Sequence, residues 1–227
     1  MRKGLLTILA LIGLISVSSV SNAADVPDHI FKQCREKAKT IKLTRVTYKF
    51  GKLIFDNTKS TGQVRKMCYN EGAAGCFERT TAAYKFGVED YLKFDIGKYI
   101  CVVPQLYADY FWHDARIFIT REYNACQIRA VLRHELQHFT IWKSTQDSIL
   151  TESKKALTEL AMKNVRVFSE QSNMPDLIPV IQQTLKDINN RWNSISDKNN
   201  ALLDKIDHDM ETEVNYRVCM PYSIESF

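Results

Sequence analysis

The chain has 227 residues, and its 31 basic and 26 acidic side chains give a formal net charge of only +5. No run of Lys and Arg of the kind that follows a phosphate backbone is present, so we expect no nucleic-acid partner. The length suits one ordinary domain with a sizeable core.

The N-terminus has the pattern of an export signal. Two basic residues precede an apolar run over 4–20, and Ser21 and Ala23 are small residues at the positions that a signal peptidase inspects. The run is short for a membrane span, which needs roughly 20 residues, so a retained anchor is the alternative. We expect residues 1–23 to be a signal peptide and residues 24–227 one periplasmic or secreted domain, without stable membrane insertion.

All six cysteines follow the expected cleavage site. An even number of cysteines in an exported chain favours disulfides, and a cysteine metal cluster would require close C-x-x-C pairs, which the sequence lacks. Cys68 and Cys76 are near enough in sequence to close a local loop. We therefore expect three disulfides, one of them Cys68–Cys76.

The half of the chain before residue 125 is predicted to be rich in strands. Gly51 separates two of the predicted strands, which either pair or form one bent strand. β-branched and aromatic residues, which suit a pleated surface, cluster in four runs: 44–50, 52–55, 99–103 and 115–120.

Two long stretches without glycine or proline, 126–174 and 180–220, predict two long helices. Each keeps one apolar stripe at helical spacing, and the first stripe continues to Phe168. The segment 172–176 is predicted to be the turn between them. The fold class is therefore α+β, with a strand-rich N-terminal half and a long antiparallel C-terminal helical hairpin.

The first of these helices contains an H-E-x-x-H motif, His134 to His138. Residues four apart lie on one face of a helix, so both imidazoles can bind one tetrahedral metal ion. Glu135 is then placed to act as a general base towards a water molecule. The alternative interpretation is a chance match on a surface helix.

This strand, short loop and H-E-x-x-H helix resemble the core of the zincin superfamily of zinc metallopeptidases. The resemblance implies that His134 and His138 bind Zn²⁺, that Glu135 is the general base, and that 115–120 is an edge strand beside the cleft, to which an extended peptide can add. The segments 129–135 and 208–213 are more distantly similar to a family of predicted secreted zinc proteases of unknown substrate.

The third metal ligand is expected on the second helix. The metzincin extension is absent, because Trp142 and Thr145 stand where its glycine and third histidine would be. If the hairpin folds about residue 173 or 174, position 136 lies opposite roughly position 211. Helical phase then favours Glu213, with Asp209 second as a ligand or as the partner of a histidine, and His208 stays possible. A solvated acidic helix end is the alternative for both carboxylates.

The expected register of the two helices leads to two further predictions. Tyr216 falls on the flank of the metal ligands, where it could donate a hydrogen bond to an oxyanion, although a packed or surface tyrosine is the alternative. Cys126 falls opposite about position 221, which predicts a Cys126–Cys219 disulfide. Cys34 and Cys101 then form the remaining pair.

The sequence therefore predicts an exported zinc-dependent metallopeptidase that acts on a peptide or protein substrate. The alternative is a non-catalytic periplasmic binding or assembly protein whose H-E-x-x-H motif is vestigial.

Overall fold

The computed structural model describes residues 26–71, 73, 75–80, 82–169 and 174–219, and leaves the side chains of 207–218 outside that description. The expected signal peptide, residues 1–23, lies outside the described part. The described elements are, in chain order, α1 (Asp28–Lys39), β1 (Thr44–Lys49), β2 (Leu53–Asp56), α2 (Thr61–Cys68), β3 (Gly75–Glu78), β4 (Ala82–Ile96), β5 (Tyr99–Trp112), β6 (Ala115–Ile119), α3 (Ala125–Lys163), β7 (Arg166–Phe168) and α4 (Ile178–Val218).

The larger sheet is built around β5. This strand pairs in parallel with β1, and antiparallel with β4 and with the short β7. Of its 14 residues, nine are buried, as expected for a strand with neighbours on both sides. The predicted strand 99–103 is thus only the first third of a much longer element.

The strand before it, β4, was not predicted. Buried or half-buried residues alternate with exposed, often charged ones along it, and this high charge hides the strand pattern in the sequence. Gly97 is in the left-handed region, with φ of 62°, between the paired residues Ile96 and Tyr99. A two-residue hairpin turn of this kind requires positive φ, which glycine adopts without strain.

The smaller sheet has the order β2–β6–β3, which corrects one prediction. The run 115–120 was expected to be an edge strand, but β6 pairs in parallel with β2 on one side and antiparallel with β3 on the other. Four of its five residues are buried, as suits a central strand. The segment around Cys76, expected to be only a loop, supplies the extra strand β3 that covers the edge of β6.

Gly51 separates two strands that belong to different sheets. β1 joins the larger sheet and β2 the smaller, so neither the predicted pairing of these strands nor a single bent strand is observed. The backbone of Gly51 passes so close to that of His113 and Asp114 that a Cβ atom would lie 2.4 Å from Asp114 N. Only glycine fits at this crossing.

The two long helices are antiparallel, as predicted, and α3 has 39 residues and α4 41. The first helix is shorter than its apolar stripe suggested, because it ends at Lys163 with Asn164 as its C-cap. The stripe continues through Phe168 in β7, which pairs with β5 instead of continuing the helix. The midpoint of the hairpin therefore lies about three residues earlier than the sequence predicts.

The main core lies between the larger sheet, α1 and the helical hairpin, and a smaller cluster of Ile117, Ile119 and Val131 packs β6 against α3. All three predicted disulfides are confirmed: Cys34–Cys101, Cys68–Cys76 and Cys126–Cys219. They fit a secreted or periplasmic protein. The predicted α+β class, strand-rich half and helical hairpin are also observed. Among the described residues, no helix is both long and apolar enough to cross a bilayer.

Candidate metal centre

Helix α3 begins at a well-defined cap that fixes the position of the H-E-x-x-H motif. The side chain of Asn124 accepts hydrogen bonds from the backbone N–H groups of Cys126 and Gln127, and the side chain of Gln127 accepts one from Asn124 N, which completes a capping box. Val131, about one turn before the motif, is buried against β6. The motif is thus held on a rigid helix beside the smaller sheet.

The two motif histidines and Asp204 of α4 form a compact group of side chains, which we call the metal cluster. His134 Nε2 and His138 Nε2 are 2.9 Å apart. Asp204 Oδ1 lies 2.9 Å from His138 Nε2 and 3.7 Å from His134 Nε2. The histidine side chains are only 15% and 12% exposed, whereas that of Asp204 is 59% exposed. Three possible ligand atoms therefore meet at one point, which opens to solvent on the α4 side.

Asn200, one turn before Asp204, fixes the orientation of His138. Its side-chain Nδ2–H donates to the carbonyl oxygen of Ser196 at 2.8 Å, which leaves Oδ1 to face His138 Nδ1 at 2.7 Å. An amide oxygen only accepts hydrogen bonds, so His138 Nδ1 is the protonated nitrogen. The lone pair is then on Nε2, the nitrogen that faces His134 and Asp204. Fixing the tautomer of a metal-binding histidine is the usual role of such a hydrogen-bond partner.

Glu135 is buried next to this cluster, with 5% of its surface exposed. Together with both histidines, Asn200 and Asp204, it lines a cleft of about 610 Å³. The opposite wall of this cleft comes from β3 and from the loop that the Cys68–Cys76 disulfide closes. A buried carboxylate beside possible metal ligands, with open space in front of them, can accept a proton from a bound molecule.

The donor set and its spacing fit Zn²⁺. Ligand atoms at 2.0–2.1 Å from a tetrahedral zinc ion are about 3.3 Å from one another, close to the separations in this cluster. Two imidazoles and one carboxylate also form a common ligand set for catalytic zinc, which leaves a fourth position for water or substrate. Within the described residues, this is the only cluster of three such groups.

Asp204 was not among the predicted third ligands, and the register of the hairpin explains why. The prediction placed position 136 opposite roughly position 211, whereas the histidines contact positions 200 and 204. Because α3 ends early, the fold point moves from residue 173 or 174 to about 170. This shift moves the partner of position 136 to about 205. The sequence did contain one indication of this site. Asn200 and Asp204 are four residues apart on α4, the same spacing as the two histidines on α3.

The other predicted site residues lie on α4 beyond Asp204. Glu213, Asp209, His208 and Tyr216 have helical backbone, but their side chains are outside the described part of the chain. Their roles as ligand, ligand partner and oxyanion donor therefore stay predictions.

Comparison of the chain with protein-family models, with curated proteins and with solved structures found no significant match.

Proposed function

We propose that the chain is an exported zinc-dependent metallopeptidase, with His134, His138 and Asp204 as the zinc ligands. The observation that carries the proposal is the meeting of these three donors beside the buried carboxylate of Glu135, at the base of an open cleft. The H-E-x-x-H spacing contributes two ligands and a base, and the hairpin contributes the third ligand.

Each protein group has a separate task in this proposal. When bound, zinc would act as a Lewis acid and lower the pKa of a water molecule towards 7. Glu135 takes the proton from the attacking water and delivers it to the nitrogen of the leaving amine. Its burial keeps bulk water from competing for that proton. Asn200 holds His138 in the tautomer and orientation that its role requires.

An extended peptide is the substrate shape that suits this cleft. Strand β3 pairs with β6 on one side, and in the described part of the chain no strand pairs with its other side. Gly75, Cys76 and Phe77 of β3 line the cleft together with the metal cluster. The main chain of a peptide that adds to this edge would pass in front of Glu135. In this arrangement β3, rather than β6, has the role of the edge strand.

The first experiment is the zinc content of the purified mature chain, residues 24–227, with its disulfides intact. We expect about one zinc per chain, and loss of that zinc in His134→Ala and in Asp204→Asn. Asp187→Asn, at another exposed aspartate of α4, is the matched control and should keep the metal. Glu213→Gln tests the ligand that the sequence favoured. Loss of zinc in Glu213→Gln but not in Asp204→Asn would contradict the ligand set proposed here.

Glu135→Gln separates an enzyme from a binding protein. The amide keeps the shape of the carboxylate but does not accept a proton, so we expect zinc content and folding to be retained and peptide hydrolysis to fall about 10²–10⁴-fold. A zinc-loaded wild-type chain that hydrolyses no member of a broad peptide library would instead favour the non-catalytic binding or assembly protein.

A further inference from the structure

A second cavity, of about 470 Å³, lies further along the hairpin between α3, α4 and β4. We define it by Tyr84 of β4, Trp142 and Gln146 of α3, and Asn189, Asn193 and Ser196 of α4, and call it the amide pocket. Arg79 lines both this pocket and the cleft of the metal cluster. Ser196 connects them further, because it accepts the hydrogen bond of Asn200. The two cavities are therefore neighbours along one groove.

Gln146 is the unusual residue of the amide pocket. It is 4% exposed, and its side-chain amide, which has no hydrogen bond to any described residue, keeps accessible surface in the cavity. The indole N–H of Trp142, one turn earlier and also 4% exposed, is likewise without an acceptor in the described chain. Both groups line the pocket. The Gln146 amide and the Trp142 N–H are thus open to the cavity on otherwise buried side chains, where one ligand group can pair with both.

The charges around the pocket favour an uncharged ligand. Arg79 at its rim forms an ion pair with Asp197, with 2.5 Å between Nη1 and Oδ1. Asp197 also lines the pocket, and Lys186, the third charged residue of the lining, is exposed, so its charge is screened by solvent. The interior offers only neutral groups: amides, a serine hydroxyl, a phenol and an indole. A ligand carboxylate placed there would lose its hydration without gaining an opposite charge.

We propose that the amide pocket binds the carboxamide side chain of a glutamine or asparagine in the peptide substrate. A carboxamide has one acceptor and two donors, which complement the amide of Gln146 and the N–H of Trp142. Gln146 lies eight residues after His138 on α3, about 12 Å along the helix axis. An extended peptide covers this distance in about four residues. The recognised side chain is thus three or four residues from the cleaved bond.

The role in substrate selection rests on the proposed peptidase function, but binding is measurable without hydrolysis. The probes are acetylated, amidated tripeptides Ala-Gln-Ala, Ala-Glu-Ala and Ala-Leu-Ala, titrated into the mature chain in the presence of a metal chelator. We expect the glutamine peptide to bind about tenfold more tightly than the other two. Gln146→Leu should remove this preference, and Gln182→Leu, at an exposed glutamine of α4, should keep it.

Gln146→Leu has a second readout that a structural role would not give. Because Gln146 makes no hydrogen bond within the described chain, leucine should leave the free energy of unfolding unchanged or raise it. If this variant does not fold, Gln146→Met takes its place. Equal binding of the three peptides, or a glutamine preference that survives the substitution, would overturn the proposal. Tighter binding of the glutamate peptide would do so too, and would assign recognition to Lys186. Absence of zinc or of hydrolysis, with glutamine binding intact, would count against the peptidase function alone.

Discussion

Two pairs of residues with i, i+4 spacing face each other at the metal cluster. One pair is on α3 and the other is on α4. His134 and His138 were predictable, because the H-E-x-x-H spacing is a specific pattern on a helix. Asn200 and Asp204 were not, because α4 has many polar residues and only the register of the hairpin selects the two that face the histidines. A register error of about six residues moves the expected partner by more than one and a half turns, so the sequence pointed to carboxylates further along α4 than Asp204.

Asn200 provides the most direct test of the cluster at the scale of one residue. Asn200→Ala removes the acceptor that orients His138, and we expect zinc affinity to fall about 10–100-fold while one zinc still binds at saturation. Competition with a chelator of known affinity measures this. Asn199→Ala, at the exposed neighbour, is the control and should bind zinc as the wild type does. An unchanged affinity in Asn200→Ala would show that the contact does not support metal binding.

At the scale of elements, the helices were easier to predict than the sheets. The absence of glycine and proline, together with an apolar stripe, is a local signal, and it located both α3 and α4. The partners of a strand depend on segments far away in sequence, so β6 had no local mark of its central position. The end of α3 also depends on a distant element, because the residues of β7 pair with β5 rather than extend the helix.

The pairing of β1 with β5 carries a pH-dependent contribution to stability. Arg45 and Thr47 of β1 donate hydrogen bonds to the carboxylate of Asp109 on β5. Burial alone would raise the pKa of Asp109, but these hydrogen bonds and the charge of Arg45 outweigh it and lower the pKa below its ordinary value of 3.8. A carboxylate with a lowered pKa stabilises the fold above its unfolded-state pKa, and this stabilisation is lost as the pH falls through the folded-state pKa.

Asp109→Asn tests that contribution. At pH 7 we expect the free energy of unfolding to fall by about 1–2 kcal/mol, the scale of hydrogen bonds to a charged group. The difference from the wild type should stay constant down to about pH 5 and shrink below about pH 4. Urea denaturation across this range measures it. Glu89→Gln, at the more exposed partner of Arg45, should cost about 0.5 kcal/mol or less. A difference for Asp109→Asn that grows in acid would contradict the assignment.

At the scale of the whole molecule, cysteine positions gave more information than strand patterns. The predicted helical hairpin brings Cys126 and Cys219 together at its open end. The short spacing of Cys68 and Cys76 predicts a second pair, and Cys34 and Cys101 are then the only cysteines left to form the third. The three disulfides tolerate an error of a few residues in register, because a covalent pair only has to be near its partner for the pairing to be deduced. The contact of His134 and His138 with Asp204 does not tolerate it, since each side chain must lie on the correct face of its helix.

The two disulfides near the metal cluster should contribute unequally to global stability. Cys126–Cys219 spans 93 residues and Cys68–Cys76 spans 8. If each acts by restricting the unfolded chain, loop entropy predicts losses of about 5 and about 2.5 kcal/mol when the pair is replaced by alanines. Urea denaturation of Cys126→Ala/Cys219→Ala and Cys68→Ala/Cys76→Ala at one pH gives the comparison. Equal losses would mean that the packing of α4 on α3, rather than the entropy of the unfolded chain, sets the stability of the hairpin. The zinc content of Cys126→Ala/Cys219→Ala would then show whether the packing of α4 on α3 keeps Asp204 in place without the disulfide.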